Sequence, residues 1–201
     1  NKKIFEHIQK DVDKASKDLA EERGACPDAA DYGIKERFSN KTAIAPTASI
    51  SIICGGTSPG VEPIAANSFT HKTLSGSFNV RNRYLEKILE KHNKNDDETW
   101  SSITTNQGSV SHLDFLTQQE KDVFKTAFEL DQKWIVELGA DRTPNISQAQ
   151  SINIFVPADI HKKELHQIHF QAWKKGLKSL YYCRSKSIQR AENVNDAKLT
   201  D

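Results

Sequence analysis

Gln150-Ser-Ile-Asn-Ile-Phe-Val-Pro157 and Leu177-Lys-Ser-Leu-Tyr-Tyr-Cys183 frame the stretch on which the fold turns. The first is rich in β-branched and aromatic residues and stops at a proline, the composition of a strand and its end. Between the two, Ile160 to Lys175 carries Leu165, Ile168, His169, Ala172 and Trp173 at helical spacing. Asp159 is placed to cap that helix and Gly176 to stop it. The second segment then reads as a strand returning beside the first. Strand, helix and strand at this length make a βαβ unit, which implies parallel pairing and an α/β fold.

The flanking chain adds helices. Ile4, Ile8, Val12, Ala15 and Leu19 recur at helical steps over Lys2–Arg23, and Gly24 stands where a left-handed C-terminal residue is wanted. Asn79 to His92 predicts a second helix, with Val80, Tyr84, Leu85, Ile88 and Leu89 on one face, and a shorter one starts near Thr99. Thr117 to Glu120 is a capping box, T-x-x-E. It predicts one long helix from there to Gly139, with Val123, Phe124, Ala127, Phe128, Leu130, Trp134, Ile135 and Leu138 as core. Cys54–Gly60 and His71–Ser77 read as loops, and the polar segment from Arg184 to Asp201 as a tail.

Thr42-Ala-Ile-Ala-Pro-Thr-Ala-Ser-Ile-Ser-Ile-Ile53 begins like a buried strand, uncharged and β-branched, until Pro46 interrupts it. Thr47, Ala48, Ser49 and Ser51 follow, with small side chains, hydroxyls and unencumbered amides. Several donors converging at a strand's end can hold a phosphate. On local chemistry alone a plain Ser/Thr turn is the more economical reading. Elsewhere, His161, His166 and His169 invite a metal hypothesis, but no cysteine or carboxylate completes a set of known spacing, which favours surface histidines.

Composition narrows the classes. The 201 residues suit one domain or a large piece of one, and 28 Lys+Arg against 27 Asp+Glu leave no electrostatic footprint for nucleic acid or an acidic membrane. No apolar run reaches the ~20 residues that span a bilayer. Cys26, Cys54 and Cys183 are odd in number and far apart, which argues against a disulfide framework and suits a reducing cytoplasm. The chain starts at Asn1, contains no methionine and shows no secretory signal at this end, as a trimmed or incomplete product would.

Several stretches together resemble one family. Ala43-Ile-Ala-Pro-Thr-Ala-Ser-Ile-Ser51, Gly56-Thr-Ser-Pro-Gly-Val-Glu-Pro63 and Phe69-Thr-His-Lys-Thr-Leu-Ser-Gly-Ser-Phe78 look like the large, catalytic subunit of class I ribonucleotide reductase. So does Ala172-Trp-Lys-Lys-Gly-Leu-Lys-Ser-Leu-Tyr-Tyr182 with Arg184-Ser185, and Glu22-Arg-Gly24 and Ser151-Ile-Asn-Ile-Phe155 fit the same pattern. The resemblance covers nearly the whole chain but only the C-terminal portion of the family's subunit.

That resemblance implies the C-terminal part of a ten-stranded α/β barrel, helix-rich, over residues 1–183. It implies an enzyme that replaces the ribose 2′-hydroxyl of a ribonucleoside diphosphate with hydrogen by radical chemistry. Pro46, Thr47, Ala48, Ser49 and Ile50 would bind the substrate's phosphates. Tyr181 and Tyr182 would relay a radical from a small partner subunit that holds the metal-containing radical cofactor, this chain binding none itself. The family's radical-bearing cysteine, its reducing cysteine pair and its allosteric domains match nothing in this sequence. The remaining part of the large subunit is therefore an expected partner, and the chain is expected to be inactive alone. A non-catalytic remnant of such a subunit is the competing reading.

Overall fold

The N-terminal periodicity is realised in full: Lys2–Arg23 forms one helix, α1. The rest of the computed structural model follows in chain order, and it describes residues 1–74 and 76–185. Short helices α2 (Pro27–Ala30) and α3 (Ala48–Ile53) precede a hairpin of β1 (Ser68–Thr73) and β2 (Gly76–Arg81). Helices α4 (Arg83–Lys91), α5 (Asp97–Thr105), α6 (Gln118–Val123) and α7 (Gln132–Arg142) come next. Strand β3 (Ile154–Val156), helix α8 (Lys162–Lys174) and strand β4 (Cys183–Ser185) close the described chain. Of the expected tail, Arg184 and Ser185 belong to β4, and the remainder lies outside the described residues.

Two compact units emerge, the first comprising residues 1–46, 132–154 and 160–183. In it α1 buries only Ser16 and Ala20, while Ile4 and Ile8 of its apolar stripe stay exposed. The Ser16 hydroxyl accepts the N–H groups of Arg37 (3.1 Å) and Phe38 (3.3 Å), which folds the following segment back over the helix. Gly24 has φ +83° as expected, but its ψ of 155° sends the chain away extended rather than through a left-handed turn. Lys41 reaches back to Asp13 and, at 3.4 Å, to Glu36. Burial lowers the Lys41 pKa, but the hydrogen bond and charge of Asp13, with Glu36, outweigh it and the net shift is upward. Helix α7 meets α8 through Glu137, which accepts from Gln171 (2.7 Å) and pairs with Lys175 (2.6 Å).

The βαβ reading survives with shorter strands. Only Ile154–Val156 qualifies as β3, and Gln150 makes instead an isolated parallel bridge to Ile44. The Tyr181 N–H donates to Ile152 O (2.7 Å) and the Ile154 N–H to Tyr182 O (2.9 Å). Both partners advance together, the progression of a parallel pair. Leu177–Leu180 carries no strand, so the return begins later than its composition suggests. The cap of α8 is also displaced: the His161 imidazole, not Asp159, accepts the Lys163 N–H at 3.1 Å. Of the residues at helical spacing in α8, Ile168 and Ala172 are buried, whereas Trp173 is 72% exposed.

The second unit comprises residues 47–131 and 155–159, with Arg184 and Ser185. Its core is a cluster of Leu85, Leu89, Trp100, Ile103, Val110, Leu113, Leu116 and Phe124. Of the segment expected as a loop, residues 71–73 and 76–77 lie instead in β1 and β2, paired in antiparallel register from Ser68↔Arg81 to Thr73↔Gly76. Thr, Phe and Val residues suit a strand, and Gly76, opposite Thr73, accommodates a φ of +136° where β2 begins. Asn79 and Val80 therefore lie in β2, and α4 starts at Arg83 after Asn82 caps it by accepting the Tyr84 N–H at 3.0 Å. The expected long helix from Thr117 breaks after α6. Thr126 and Glu129 form a second capping box around a 3₁₀ turn at Ala127–Glu129, and α7 starts afresh at Gln132. Gly139 consequently lies inside α7 rather than at its end, and Val123 and Trp134 are exposed.

Candidate functional site

The approach to the candidate phosphate loop is tied down residue by residue. The Ser147 hydroxyl accepts the N–H groups of Lys41 (2.9 Å) and Thr42 (2.8 Å), and the Ser147 N–H returns a bond to the Thr42 hydroxyl (3.0 Å). Ile44 then donates to Ala149 O (3.3 Å) and accepts from Ser151 N–H (2.8 Å), completing its bridge to Gln150. Gln150 is itself fixed by buried bonds to the Arg142 guanidinium (2.9 Å) and to Gly139 O (2.9 Å). Pro46 follows two residues after Ile44, and its locked φ removes one hinge.

From Thr47 the chain does not continue as a strand or open turn; it winds into α3, a correction to the sequence expectation. The Thr47 N–H donates to Pro59 O (3.2 Å), and the first helical bond is Ser51 N–H to Thr47 O (2.8 Å). Ahead of that bond lie the amides of Ala48, Ser49 and Ile50, which have no acceptor among the described residues. Thr47 makes no side-chain cap. Such first-turn amides are the donors that a helix offers to an anion. Ala48, Ser49 and Ile50 are exposed. The Ser51 hydroxyl is not part of this surface, since it is buried and bonded to Ala48 O at 2.7 Å.

Tyr181 and Tyr182 stand next to each other in space as in sequence. Their ring centroids are 4.1 Å apart at an interplanar angle of 53°. Neighbours on a pleated strand point to opposite faces. Here the pair precedes β4, and the two rings lie on one side. Both are about half exposed, at 45% and 53%. The motif reading passed over Lys178, three residues before Tyr181. Its ammonium bonds the carbonyls of Ile146 (3.2 Å), Ser147 (2.6 Å) and Gln148 (3.1 Å). A lone lysine gives no such signal in a sequence.

The three histidines do not converge on a metal. His161 caps α8, His166 stacks on Phe170, and the His169 ring bonds Leu165 O at 2.9 Å. No group of three or more potential ligands forms among the described residues. Cys26, Cys54 and Cys183 are free thiols. No helix among the described residues is long and apolar enough to cross a membrane.

Known proteins match this chain closely. The ribonucleotide reductase barrel domain matches residues 28–183. A ribonucleoside-diphosphate reductase large subunit of Invertebrate iridescent virus 6 is 48% identical over 96% of this chain and 20% of its own length. The corresponding subunit of Invertebrate iridescent virus 3 is 44% identical over 100% of this chain and 32% of its own length. The solved class Id ribonucleotide reductase alpha subunit of Actinobacillus ureae superposes with a TM-score of 0.82 at 38% identity, covering 95% of this chain and 34% of that one. The chain thus spans between a fifth and a third of the length of these relatives. The parallel βαβ unit, the helix-rich α/β fold and these matches agree: the chain belongs to the ribonucleotide reductase barrel-domain family.

Proposed function

We propose that this chain is the C-terminal barrel portion of a class I ribonucleoside-diphosphate reductase large subunit, supplying a substrate-phosphate loop and a tandem-tyrosine radical relay. The observation that carries the reading is the Tyr181–Tyr182 pair, whose rings lie 4.1 Å apart within a family-matched segment. Each phenol gives up one electron and one proton together and recovers both on the return. Contact between the rings shortens the step from one to the next. The radical enters from a small subunit with a metal-containing cofactor and leaves toward a cysteine carried by the rest of the barrel. There the ribose C2′–O bond breaks, the oxygen departs as water, and two thiols on that polypeptide supply the two electrons.

Within this scheme the amides of Ala48, Ser49 and Ile50, with Pro46 and Thr47 leading into them, hold the substrate's phosphates. Fixed backbone donors suit an anion that must not move while the ribose reacts. The three free thiols suit work in a reducing cytoplasm. The chain is inactive alone and gains activity with a complementing barrel fragment and the small subunit. Tyr181→Phe and Tyr182→Phe each keep the ring and remove the ionisable hydroxyl. In the complemented enzyme each should abolish turnover while ribonucleotide affinity survives. Normal turnover in both variants refutes the relay.

A further inference from the structure

Residues 146–151 serve two masters within the first unit. On one side, Ser147, Gln148, Ala149 and Ser151 bond Thr42 and Ile44, the residues leading to Pro46. On the other, the carbonyls of Ile146, Ser147 and Gln148 converge on the Lys178 ammonium at 2.6–3.2 Å. An ammonium has three donor hydrogens, and three acceptors satisfy all of them. Three residues on from Lys178, the Tyr181 N–H reaches Ile152 O at 2.7 Å. One turn of chain thus receives the approach to the loop through Ser147 and the approach to the tyrosines through Lys178.

We infer that Lys178 is a positioning residue that ties residues 42–44, which lead to the proposed phosphate loop, to the segment that leads to the proposed tyrosine relay, an inference that rests on the function proposed above. The lysine touches neither substrate nor radical. It holds carbonyls 146–148 in one arrangement, which keeps the Ser147 side chain on Thr42, and it anchors its own segment so that Tyr181 enters the ladder beside Ile152. Loss of the ammonium frees both at once. Loss of the Ser147 hydroxyl frees only the loop side, because the Ser147 carbonyl that Lys178 grips is unchanged.

The test uses the complemented enzyme with its small subunit, comparing wild type, Lys178→Met, Ser147→Ala and the double variant. Lys178→Met should raise KM for the ribonucleotide and lower kcat, each by roughly tenfold, the scale of one lost charge-assisted hydrogen bond. Ser147→Ala should raise KM by a similar factor and leave kcat within about twofold. The double variant should raise KM no further than Lys178→Met, since both act through one turn. A fall in kcat alone for Lys178→Met, or strictly multiplicative KM effects in the double variant, overturns the link. Should Lys178→Met fail to fold, Lys178→Arg takes its place. It keeps the charge but presents a planar fork to three converging carbonyls, and it should raise KM and lower kcat by a smaller factor; unchanged constants overturn the inference. Tyr181→Phe, run in parallel, separates the two readings. If it keeps turnover, the relay itself is wrong; if it abolishes turnover while Lys178→Met changes nothing, only the present inference falls.

Discussion

Asn67 and Gly108 are joined twice: the Asn67 N–H (3.1 Å) and its side-chain amide (2.9 Å) both donate to the Gly108 carbonyl. The same side-chain nitrogen reaches Phe124 O at 2.7 Å, and the Asn67 oxygen accepts from Asn82 at 2.9 Å, so one buried side chain ties the hairpin to two loops. Gly108 sits at φ +83°, and a Cβ there would lie 2.3 Å from the Ala66 Cβ and 2.6 Å from its Cα. Backbone cannot yield as a side-chain tip does. Gly108→Ala should therefore cost about 3 kcal/mol, from overpacking plus the left-handed backbone. Asn67→Ala leaves the backbone N–H on Gly108 O but strands the buried Phe124 carbonyl, and should cost roughly 2 kcal/mol. Urea unfolding followed by tryptophan fluorescence measures both; a loss below about 1 kcal/mol for Gly108→Ala would show that the contact relaxes.

Glu120 closes the first capping box and also meets His92 at 3.1 Å. The Thr117 backbone N–H, then the His92 side chain and the Thr117 hydroxyl, hold its carboxyl well down, from 4.5 to about 2. A carboxylate with a depressed folded pKa adds stability above its unfolded value and loses it as pH falls toward the folded one. The stability gap between wild type and Glu120→Gln should thus be constant above pH 4.5 and close progressively toward pH 2. His92→Phe should raise the Glu120 pKa only part of the way, because the Thr117 amide remains. A carboxyl that NMR titration finds near 4.5 in wild type would remove the basis for both expectations.

What the sequence conveys well is local and repeated. Twenty-two residues of periodicity made α1 legible, and T-x-x-E at Thr117 marked a true helix start. What it conveys poorly is competition between local signals. Thr126 and Glu129 repeat the same capping chemistry nine residues later and cut a helix that the apolar pattern alone would continue. His161 caps α8 in place of Asp159, because the helix starts at Lys162 and the His161 ring nitrogen reaches the Lys163 N–H. Hydrophobic spacing also says that a face wants cover without saying which polypeptide covers it. Trp134 (67%) and Trp173 (72%) remain exposed in a chain spanning a fifth of one relative and a third of another. Family motifs singled out Pro46–Ile50 and Tyr181–Tyr182 as candidates; Lys178 gave no signal of its own, because its partners are three carbonyls that carry no sequence signature.

For the proposed phosphate loop, the backbone N–H of Ser49 can be separated from its hydroxyl. Ser49→Ala keeps the amide and should change ribonucleotide KM in the complemented enzyme by no more than about threefold, because the proposed contact is the amide and not the hydroxyl. Ser49→Pro removes the amide in the first turn of α3, where the missing N–H breaks no helical bond. It should raise KM by more than tenfold, or about 1.4 kcal/mol and upward. Circular dichroism of both variants establishes that the fold is retained. Equal effects of the two substitutions would assign the contact to the hydroxyl instead.

Gly139 offers a route from packing to the proposed relay. Inside α7 it lies so close to its neighbours that a Cβ would stand 2.7 Å from Ile152 Cδ1 and 3.2 Å from Leu177 Cδ2. Alanine would favour the helix by about 1 kcal/mol, but overpacking a filled core costs about 1–3 kcal/mol, so the net change should be destabilising. Ile152 is fully buried and has nowhere to retreat, and its carbonyl is the acceptor for the Tyr181 N–H. Gly139→Ala should therefore lower kcat in the complemented enzyme as well as stability. Ile152→Val deletes the Cδ1 that clashes and by itself costs about 1 kcal/mol. Combined with Gly139→Ala it should restore part of both losses, because the new methyl fills the space that the old one leaves. Thermal unfolding and steady-state kinetics on the two single variants and the double variant test this directly. Strictly additive losses would mean that the Gly139–Ile152 contact does not govern the hydrogen bond between Ile152 O and the Tyr181 N–H.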